Sequence, residues 1–169
     1  FDRKTCRGEI VAPCEEYAVY NGPHDTSILD AGYTLSKKKD LLMIDQNGYM
    51  YYLGAAHNYS FRNTVFIDLT TGVQYRSSDL FRKDSGVWDY LSNTITAKIR
   101  ESTDEMICFD DSVSIGPGTK FALTDDGIDF YFEKGEIAAN AAGMQVFHVP
   151  YSDLADYLDT EGAFWRSFN

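Results

Sequence analysis

The chain of 169 residues is 44% hydrophobic and 15% aromatic, which is enough to bury one self-sufficient core. It contains no run of about 18 apolar residues, so we expect no membrane-spanning helix and no retained signal peptide. The net charge of −11 arises in residues 101–169, which hold 14 acidic and 3 basic residues. A field of that sign disfavours nucleic acid and anionic lipid and favours a basic partner, although it also simply keeps a protein soluble.

The three cysteines suggest an oxidising compartment. Cys6 and Cys14 enclose a short loop, and a disulfide between them would fit a secreted or periplasmic protein. A bridge from Cys6 to Cys108, or free thiols, are the alternatives. Because residues 1–31 mix Gly, Pro, Cys and charge, we predict an irregular, disulfide-linked N-terminal segment.

Residues 32–169 are predicted to form a single α+β unit. Three pairs of apolar runs separated by turn residues indicate β-hairpins, at 41–53 around Asn47-Gly48, at 64–76 and at 121–132. In the third hairpin, strand alternation puts Ile128, Phe130 and Phe132 on one face and Asp129, Tyr131 and Glu133 on the other.

Helical periodicity appears once in the middle of the chain. Apolar residues recur at three- and four-residue steps, after Asp84 or Ser85 as a potential N-cap. A strand at 144–149 and a short helix starting at Ser152 follow. The predicted fold is therefore an antiparallel sheet built from hairpins, with one main amphipathic helix packed on it and a short C-terminal helix. The helical stripe consists of Trp88, Leu91, Ile95 and Ile99.

Motifs of known catalytic or cofactor sites are missing from the sequence. It has no GxSxG elbow, HExxH zinc motif, phosphate-binding P-loop or dinucleotide fingerprint. The three histidines, His24, His57 and His148, are scattered along the chain, and Asp125-Asp126 lies in a predicted turn. We therefore expect no catalytic site, no metal site and no cofactor.

Aromatic residues crowd the region before residue 62. Tyrosine and phenylalanine offer flat faces that stack on sugars or anchor a protein partner. In a strand, however, half of them would point into the core, so packing and ligand contact both remain open. The aromatic residues are Tyr49, Tyr51, Tyr52, Tyr59 and Phe61.

The order of several short segments resembles the C-terminal region of the RsiV-type family. This family includes lysozyme-sensing anti-sigma factors and the non-catalytic domain of PdaC-type peptidoglycan deacetylases. The similarity covers roughly residues 40–160. The matching segments are YYLGAAH at 51–57, DLTTG at 68–72, SDLF at 78–81, FALT at 121–124 continuing to Phe132, EIA at 136–138, AAG at 141–143 and VPYSDL at 149–154.

The resemblance implies an extracytoplasmic α+β domain that binds a partner, which for the anti-sigma members is lysozyme, a basic protein. The chain departs from the family pattern at Gly135 and Asn140, where the family usually has tyrosine. Its first 30 residues match none of the pattern, and no sigma-binding segment is present. Signalling through a sigma factor is therefore not part of the expectation.

We hypothesise a non-catalytic, extracytoplasmic binding domain that recognises a cell-wall glycan or a lysozyme-like basic protein. One alternative is a hydrolase that uses His57 with Asp68. Another is a structural accessory domain of a larger envelope protein, such as a lipoprotein. The predicted ligand contacts are Tyr51, His57, Tyr59, Phe61, Glu133, Glu136, Asp153 and Asp156.

Overall fold

The computed structural model describes residues 2–13, 26–101 and 112–169, with the backbone alone for residues 2–13 and for Thr26. The first sheet is antiparallel, with its strands in chain order. No helix in the described ranges is long and apolar enough to cross a bilayer. The strands are β1 (Asp2–Pro13), β2 (Thr26–Lys38), β3 (Leu41–Tyr51), β4 (Tyr59–Asp68) and β5 (Gln74–Tyr75).

A second antiparallel sheet and two α-helices complete the fold and confirm the predicted α+β class. This sheet has the order β6-β7-β8. The short helix predicted from Ser152 is a 3₁₀ helix at Tyr151–Leu154, and the C-terminal α-helix lies further along the chain. The elements are α1 (Val87–Glu101), β6 (Phe121–Leu123), β7 (Gly127–Phe132), β8 (Gln145–Pro150) and α2 (Ala163–Phe168), with further 3₁₀ turns at Ser77–Leu80 and Asn140–Ala142.

One apolar core joins the two sheets. Phe66 of β4 stacks on Phe121 of β6 with ring centroids 4.7 Å apart, and Phe164 of α2 packs against Phe66 at 5.4 Å. Tyr75 of β5 stacks on the same Phe164 at 4.6 Å. These rings make β4 the strand at which the two sheets meet.

Helix α1 lies on this core as predicted. Two residues of the apolar stripe are fully buried and the other two pack partly buried against the core. The predicted cap is wrong, because the carbonyl of Gly86 accepts the first helical hydrogen bond, from Tyr90 N. Gly86 is therefore the N-cap residue, in place of Asp84 or Ser85.

Strand β3 runs unbroken through Asn47-Gly48, so the predicted hairpin turn at this point is wrong. Gly48 lies between Ala31 of β2 and Phe61 of β4. A Cβ atom at Gly48 would come within 2.9 Å of both Ala31 Cα and Phe61 Cζ. Glycine is needed here for close packing of neighbouring strands. The chain reverses instead just before β3, where Lys39 has φ 52°.

The β4–β5 hairpin forms as predicted, and Asp68 holds its turn. Asp68 Oδ1 accepts hydrogen bonds from the backbone N–H groups of Thr70 (2.8 Å) and Thr71 (2.9 Å), and Oδ2 accepts one from the Tyr75 hydroxyl (2.8 Å). The bond from Thr71, followed by that from Tyr75, lowers the pKa of Asp68. Burial, with the adjacent carboxylate, raises the pKa of Tyr75 to about 12.

The β6–β7 hairpin also forms as predicted, but β7 is buried on both faces. Tyr131 is only 1% exposed and Glu133, just after the strand, only 8%. The sequence had placed both opposite the apolar face. They are buried because β7 is the central strand of the second sheet and contacts β4 through that side.

The N-terminal region contains regular strand where the sequence predicted an irregular segment. Residues 2–13 pair along their whole length with β2, whose residues 26–31 also belonged to that segment. Cys6 lies opposite Tyr33 in this register. Its side chain, Cys14 and Cys108 lie outside the described part of the chain, so the disulfide stays a prediction.

The outer face of the first sheet is also apolar. Its aliphatic side chains are partly exposed, and none of them packs against the buried core described above. The described elements therefore cover one of the two faces of this sheet. The residues are Leu35, Leu42, Ile44, Val65 and Ile67.

Substitution of Gly48 by alanine tests the close packing of β2 and β3. We expect Gly48→Ala to lower the free energy of unfolding by about 1–3 kcal/mol, because the added methyl overpacks the sheet. Gly116→Ala is the matched control, since a Cβ there meets nothing within 4 Å. Urea denaturation measures both, and equal midpoints for the two variants would contradict the account.

Substitution of Asp68 by asparagine tests the carboxylate in the β4–β5 turn. A carboxylate whose folded pKa is lowered stabilises the fold above its unfolded value of 3.8 and loses that effect as the pH falls. We therefore expect Asp68→Asn to lower Tm at neutral pH, and the difference from wild type to shrink in acid. Asp153→Asn, at an exposed position, is the control. A difference that persists undiminished in acid would refute the assignment.

Candidate functional site

The connection between β3 and β4 carries the most exposed tyrosines of the described chain. Tyr52 is 60% exposed and Tyr59 55%, and His57 is exposed between them. A hydrogen bond from Ala55 N to Tyr52 O (2.9 Å) closes a turn, and Gly54 takes a positive φ of 80°. We call residues 51–59 the tyrosine loop.

A second turn, at residues 133–136, lies beside the tyrosine loop. Lys134 Nζ donates to Asn58 Oδ1 at 3.3 Å and links the two segments. Glu136 is exposed, and its Oε2 accepts from Glu133 N at 2.7 Å. The tyrosine loop and this adjoining turn therefore carry an imidazole, an amide, an ammonium and a carboxylate in addition to the two exposed tyrosines.

The other predicted aromatic contacts fall on different faces of the first sheet. Phe61 lies partly buried opposite Gly48, on the same face as Tyr59. Tyr51 ends β3 partly exposed on the reverse face, because side chains alternate along a strand. Among the predicted aromatic residues, Tyr59 is therefore the one most open to a ligand.

Glu133 lies beneath this surface and connects the sheets. Its Oε1 accepts hydrogen bonds from Arg62 N (2.8 Å) and Lys120 Nζ (2.6 Å). Its Oε2 is buried and has no hydrogen-bond partner in the described part of the chain. Glu133 thus holds the free edge of β4 against β7, below the surface at which it was predicted to contact a ligand.

Arg62 anchors the same region from the first sheet. Its guanidinium makes two hydrogen bonds to Asp45, of 2.9 Å and 2.7 Å, and lies over the Tyr131 ring at 4.5 Å. The Asp45 hydrogen bond is the main cause of the raised pKa of Arg62. The start of β4, which follows the tyrosine loop, is therefore held in place by an ion pair and by packing on Tyr131.

A groove of about 220 Å³ opens further along β4, between the two sheets. We call it the seam groove. At its floor Thr64 Oγ1 and the Tyr131 hydroxyl are 2.9 Å apart and hydrogen-bonded. Arg76 and Lys120 line its walls, and Phe66 is among its apolar residues.

Asp153 and Asp156 lie away from the tyrosine loop. They follow β8, where Tyr151 N bonds to Asp126 O at the start of β7, whereas Glu136 follows the end of β7. The six residues of β7 separate the two ends by about 20 Å. The structure therefore does not unite the predicted acidic contacts in one site.

Strand β4 separates the two residues of the hydrolase alternative. His57 precedes β4 and Asp68 ends it, a separation of about 30 Å at ordinary strand rise. Asp68 is also buried in its turn. The structure pairs a different histidine with a carboxylate, since His148 Nδ1 lies 2.7 Å from Asp129 Oδ1. No three His, Cys, Asp or Glu residues converge as a metal site in the described ranges.

Sequence reasoning singled out the aromatic residues of the tyrosine loop but did not indicate the seam groove. The Thr64–Tyr131 and Arg62–Glu133 contacts join residues 67 and 71 positions apart, which no local pattern reveals. The only local signal was Glu133 itself, a charged residue that strand alternation placed on the face opposite the apolar side chains.

Comparison with known proteins places the chain near a group of domains of unknown function. Residues 78–152 match the family model described as "Protein of unknown function (DUF3298)". The chain is 27% identical over 115 residues to the peptidoglycan-N-acetylmuramic acid deacetylase PdaC of Bacillus subtilis, covering 63% of this chain and 24% of the deacetylase. The predicted resemblance is confirmed to this extent, and its lysozyme-sensing branch stays a prediction.

Two solved structures share the fold. A DUF3298 family member from Bacteroides fragilis has a TM-score of 0.66 at 22% identity, covering 92% of this chain and 63% of that one. A DUF3298 protein from Pseudomonas aeruginosa has a TM-score of 0.60 at 16% identity, covering 76% and 61%. The chain thus spans less than two thirds of the length of each relative. It has the fold of these DUF3298 structures, and its residues 78–152 match the DUF3298 family model.

Proposed function

We propose that this chain is a non-catalytic, extracytoplasmic domain that binds a cell-wall glycan at the tyrosine loop. The observation that carries the proposal is the exposure of Tyr52 and Tyr59, at 60% and 55%, on a loop held by turns and strands. Tyrosine rings exposed to this degree offer apolar faces for sugar rings. The Tyr52 hydroxyl donates to Met50 Sδ (3.8 Å), and its oxygen can still accept a hydrogen bond.

The side chains around these rings suit a sugar ligand. Asn58 and His57 offer hydrogen-bond donors and acceptors, and Glu136 offers an acceptor. Glu133 and Arg62 fix the base of the loop from below, so that little order has to be gained when a ligand binds.

The relative from Bacillus subtilis supports a cell-wall ligand. It is named as a deacetylase of peptidoglycan N-acetylmuramic acid, and this chain aligns with about a quarter of it. A domain that holds the polymer while another part of the protein acts on it would be useful to such an enzyme. The same argument supports an extracytoplasmic location.

The separation of His57 from Asp68 supports binding over hydrolysis. A general base and the carboxylate that orients it must be within hydrogen-bond reach. Here the full length of β4 lies between them. The alternative of a structural accessory domain differs from the binding proposal, because it predicts that no ligand binds at the tyrosine loop.

A basic protein is the second candidate partner, at the opposite end of β7. Asp125, Asp126, Asp153 and Asp156 are exposed there. Lys134 is the only lysine or arginine in residues 121–165. Such a surface attracts a cationic protein in a manner that salt weakens.

Replacement of the two exposed tyrosines tests the glycan proposal. Each ring contributes about 1 kcal/mol of stacking, so Tyr52→Ala with Tyr59→Ala should weaken binding to purified insoluble peptidoglycan by about tenfold or more. Co-sedimentation at low and high salt measures it, and the wild-type affinity should change little with salt.

Leu69→Ala with Val73→Ala is the matched control, because both side chains are about half exposed and lie between β4 and β5, at the end of β4 opposite the loop. Wild-type binding that the tyrosine variant retains in full would refute the loop as the site. The basic-protein candidate would be favoured if the chain binds hen lysozyme but not peptidoglycan. That binding should be lost at high salt and in the double variant Asp153→Asn with Asp156→Asn.

A further inference from the structure

The seam groove concentrates positive charge on an acidic protein. Its lining includes Arg76 and Lys120 and contains neither Asp nor Glu, although the chain has a net charge of −11. Lys120 Nζ forms an ion pair with the buried Glu133 (2.6 Å), which offsets its charge but leaves further N–H groups on the ammonium. Arg76 is exposed, and its guanidinium has no ion-pair partner among the described residues. The groove therefore favours an anionic ligand.

The floor of the groove supplies a neutral hydrogen-bond donor. Tyr131 is 1% exposed, and burial raises the pKa of its hydroxyl, which keeps that group protonated. Thr64 and Tyr131 together have two hydroxyl hydrogens, and their mutual hydrogen bond uses one of them. The other is available to an oxygen atom bound in the groove.

The size and walls of the groove limit the ligand to about one sugar ring. Its volume of about 220 Å³ is below the range of about 300–1,000 Å³ typical of sites for drug-sized ligands. Phe66, Phe121 and Tyr75 provide apolar walls beside the polar floor. A ligand with one apolar ring face, several hydroxyls and one anionic group fits this lining.

The anionic group that fits best is a carboxylate. Arginine presents a planar fork that matches a carboxylate with two parallel hydrogen bonds. A phosphate site usually uses several backbone N–H groups, and Pro117 in the adjacent loop lacks one. Both the cations and the loop therefore point to a carboxylate on a sugar-sized molecule.

We infer that the seam groove binds a carboxylated amino sugar, with Arg76 and Lys120 holding its carboxylate and the Thr64–Tyr131 pair contacting a ring oxygen or hydroxyl. This inference rests on the proposed glycan function and names the sugar that the domain distinguishes. N-acetylmuramic acid has this chemistry wherever no peptide is joined to its lactyl group, because it is N-acetylglucosamine with a lactyl ether that then ends in a free carboxylate.

The groove and the tyrosine loop lie along the same free edge of β4. Tyr59 begins the strand and Thr64 lies on the groove floor, a separation of about 17 Å at ordinary strand rise, with their side chains on opposite faces of β4. A glycan strand without peptide stems that passes over this edge would place one sugar in the groove and others against the loop. The loop then supplies affinity for the polymer and the groove recognises the acidic sugar.

The direct test is an NMR titration of the whole chain with N-acetylmuramic acid and with N-acetylglucosamine, which lacks the lactyl ether and its carboxylate. We expect the acidic sugar to bind at least about fivefold more tightly, and Arg76→Gln to abolish that preference while the fold is unchanged. Lys98→Gln, which removes an exposed cation on α1 outside the groove, should keep the preference. Lys120→Arg, which keeps the charge beside Glu133, should also keep it.

Equal binding of the two sugars, or a preference that survives Arg76→Gln, would overturn the inference. Arg76-dependent binding of free lactate as tight as that of N-acetylmuramic acid would show that the groove recognises a carboxylate without the sugar, which also overturns it. If peptidoglycan binds through the tyrosines but neither sugar binds, the inference about the groove is wrong and the proposed function stands. If the acidic sugar binds in an Arg76-dependent way but peptidoglycan does not bind, the groove is supported as a sugar site and the tyrosine loop is refuted as the glycan site.

Discussion

The stacking of Phe66 on Phe121, 4.7 Å apart, is the contact on which the rest of the structure depends. It joins a strand of the first sheet to a strand of the second, and Phe164 closes the same cluster from α2. Because close-packed aromatic rings tolerate little displacement, this junction determines how far β4 lies from β7. The tyrosine loop, the seam groove and their spacing along β4 all follow from that separation.

Polar contacts beside the aromatic junction connect the two sheets. The Arg62–Asp45 pair lies within the first sheet and the Lys120–Glu133 pair within the second, and both are partly buried, so desolvation offsets much of their attraction and they add little net stability. Their geometry is specific, however, and Glu133 also accepts the N–H of Arg62 on the free edge of β4. This bond occupies a backbone donor that would otherwise invite another strand.

The sequence predicted the features that depend on neighbouring residues. The β4–β5 and β6–β7 hairpins, whose turns contain Gly72 and Gly127, follow from the preferences of neighbouring turn residues. The apolar stripe of α1 follows from helical periodicity over a few positions. Asn47-Gly48 has the same local signal, yet its glycine serves a close contact between strands that only the paired sheet creates. The seam groove was unpredictable for the same reason, since its floor joins Thr64 to Tyr131 across 67 positions. The sequence showed the cluster of aromatic residues around the tyrosine loop, but which of their rings face solvent depended on the sheet.

The most direct test of the account is a map of ligand contacts along β4. Backbone NMR shifts of the whole chain would be followed during addition of a soluble disaccharide of N-acetylglucosamine and N-acetylmuramic acid. The account predicts shifts clustered in residues 52–66, 76 and 118–120, on both sides of the Phe66 junction. Shifts confined to residues 151–159 at the acidic end, or no shifts at saturating disaccharide, would contradict it.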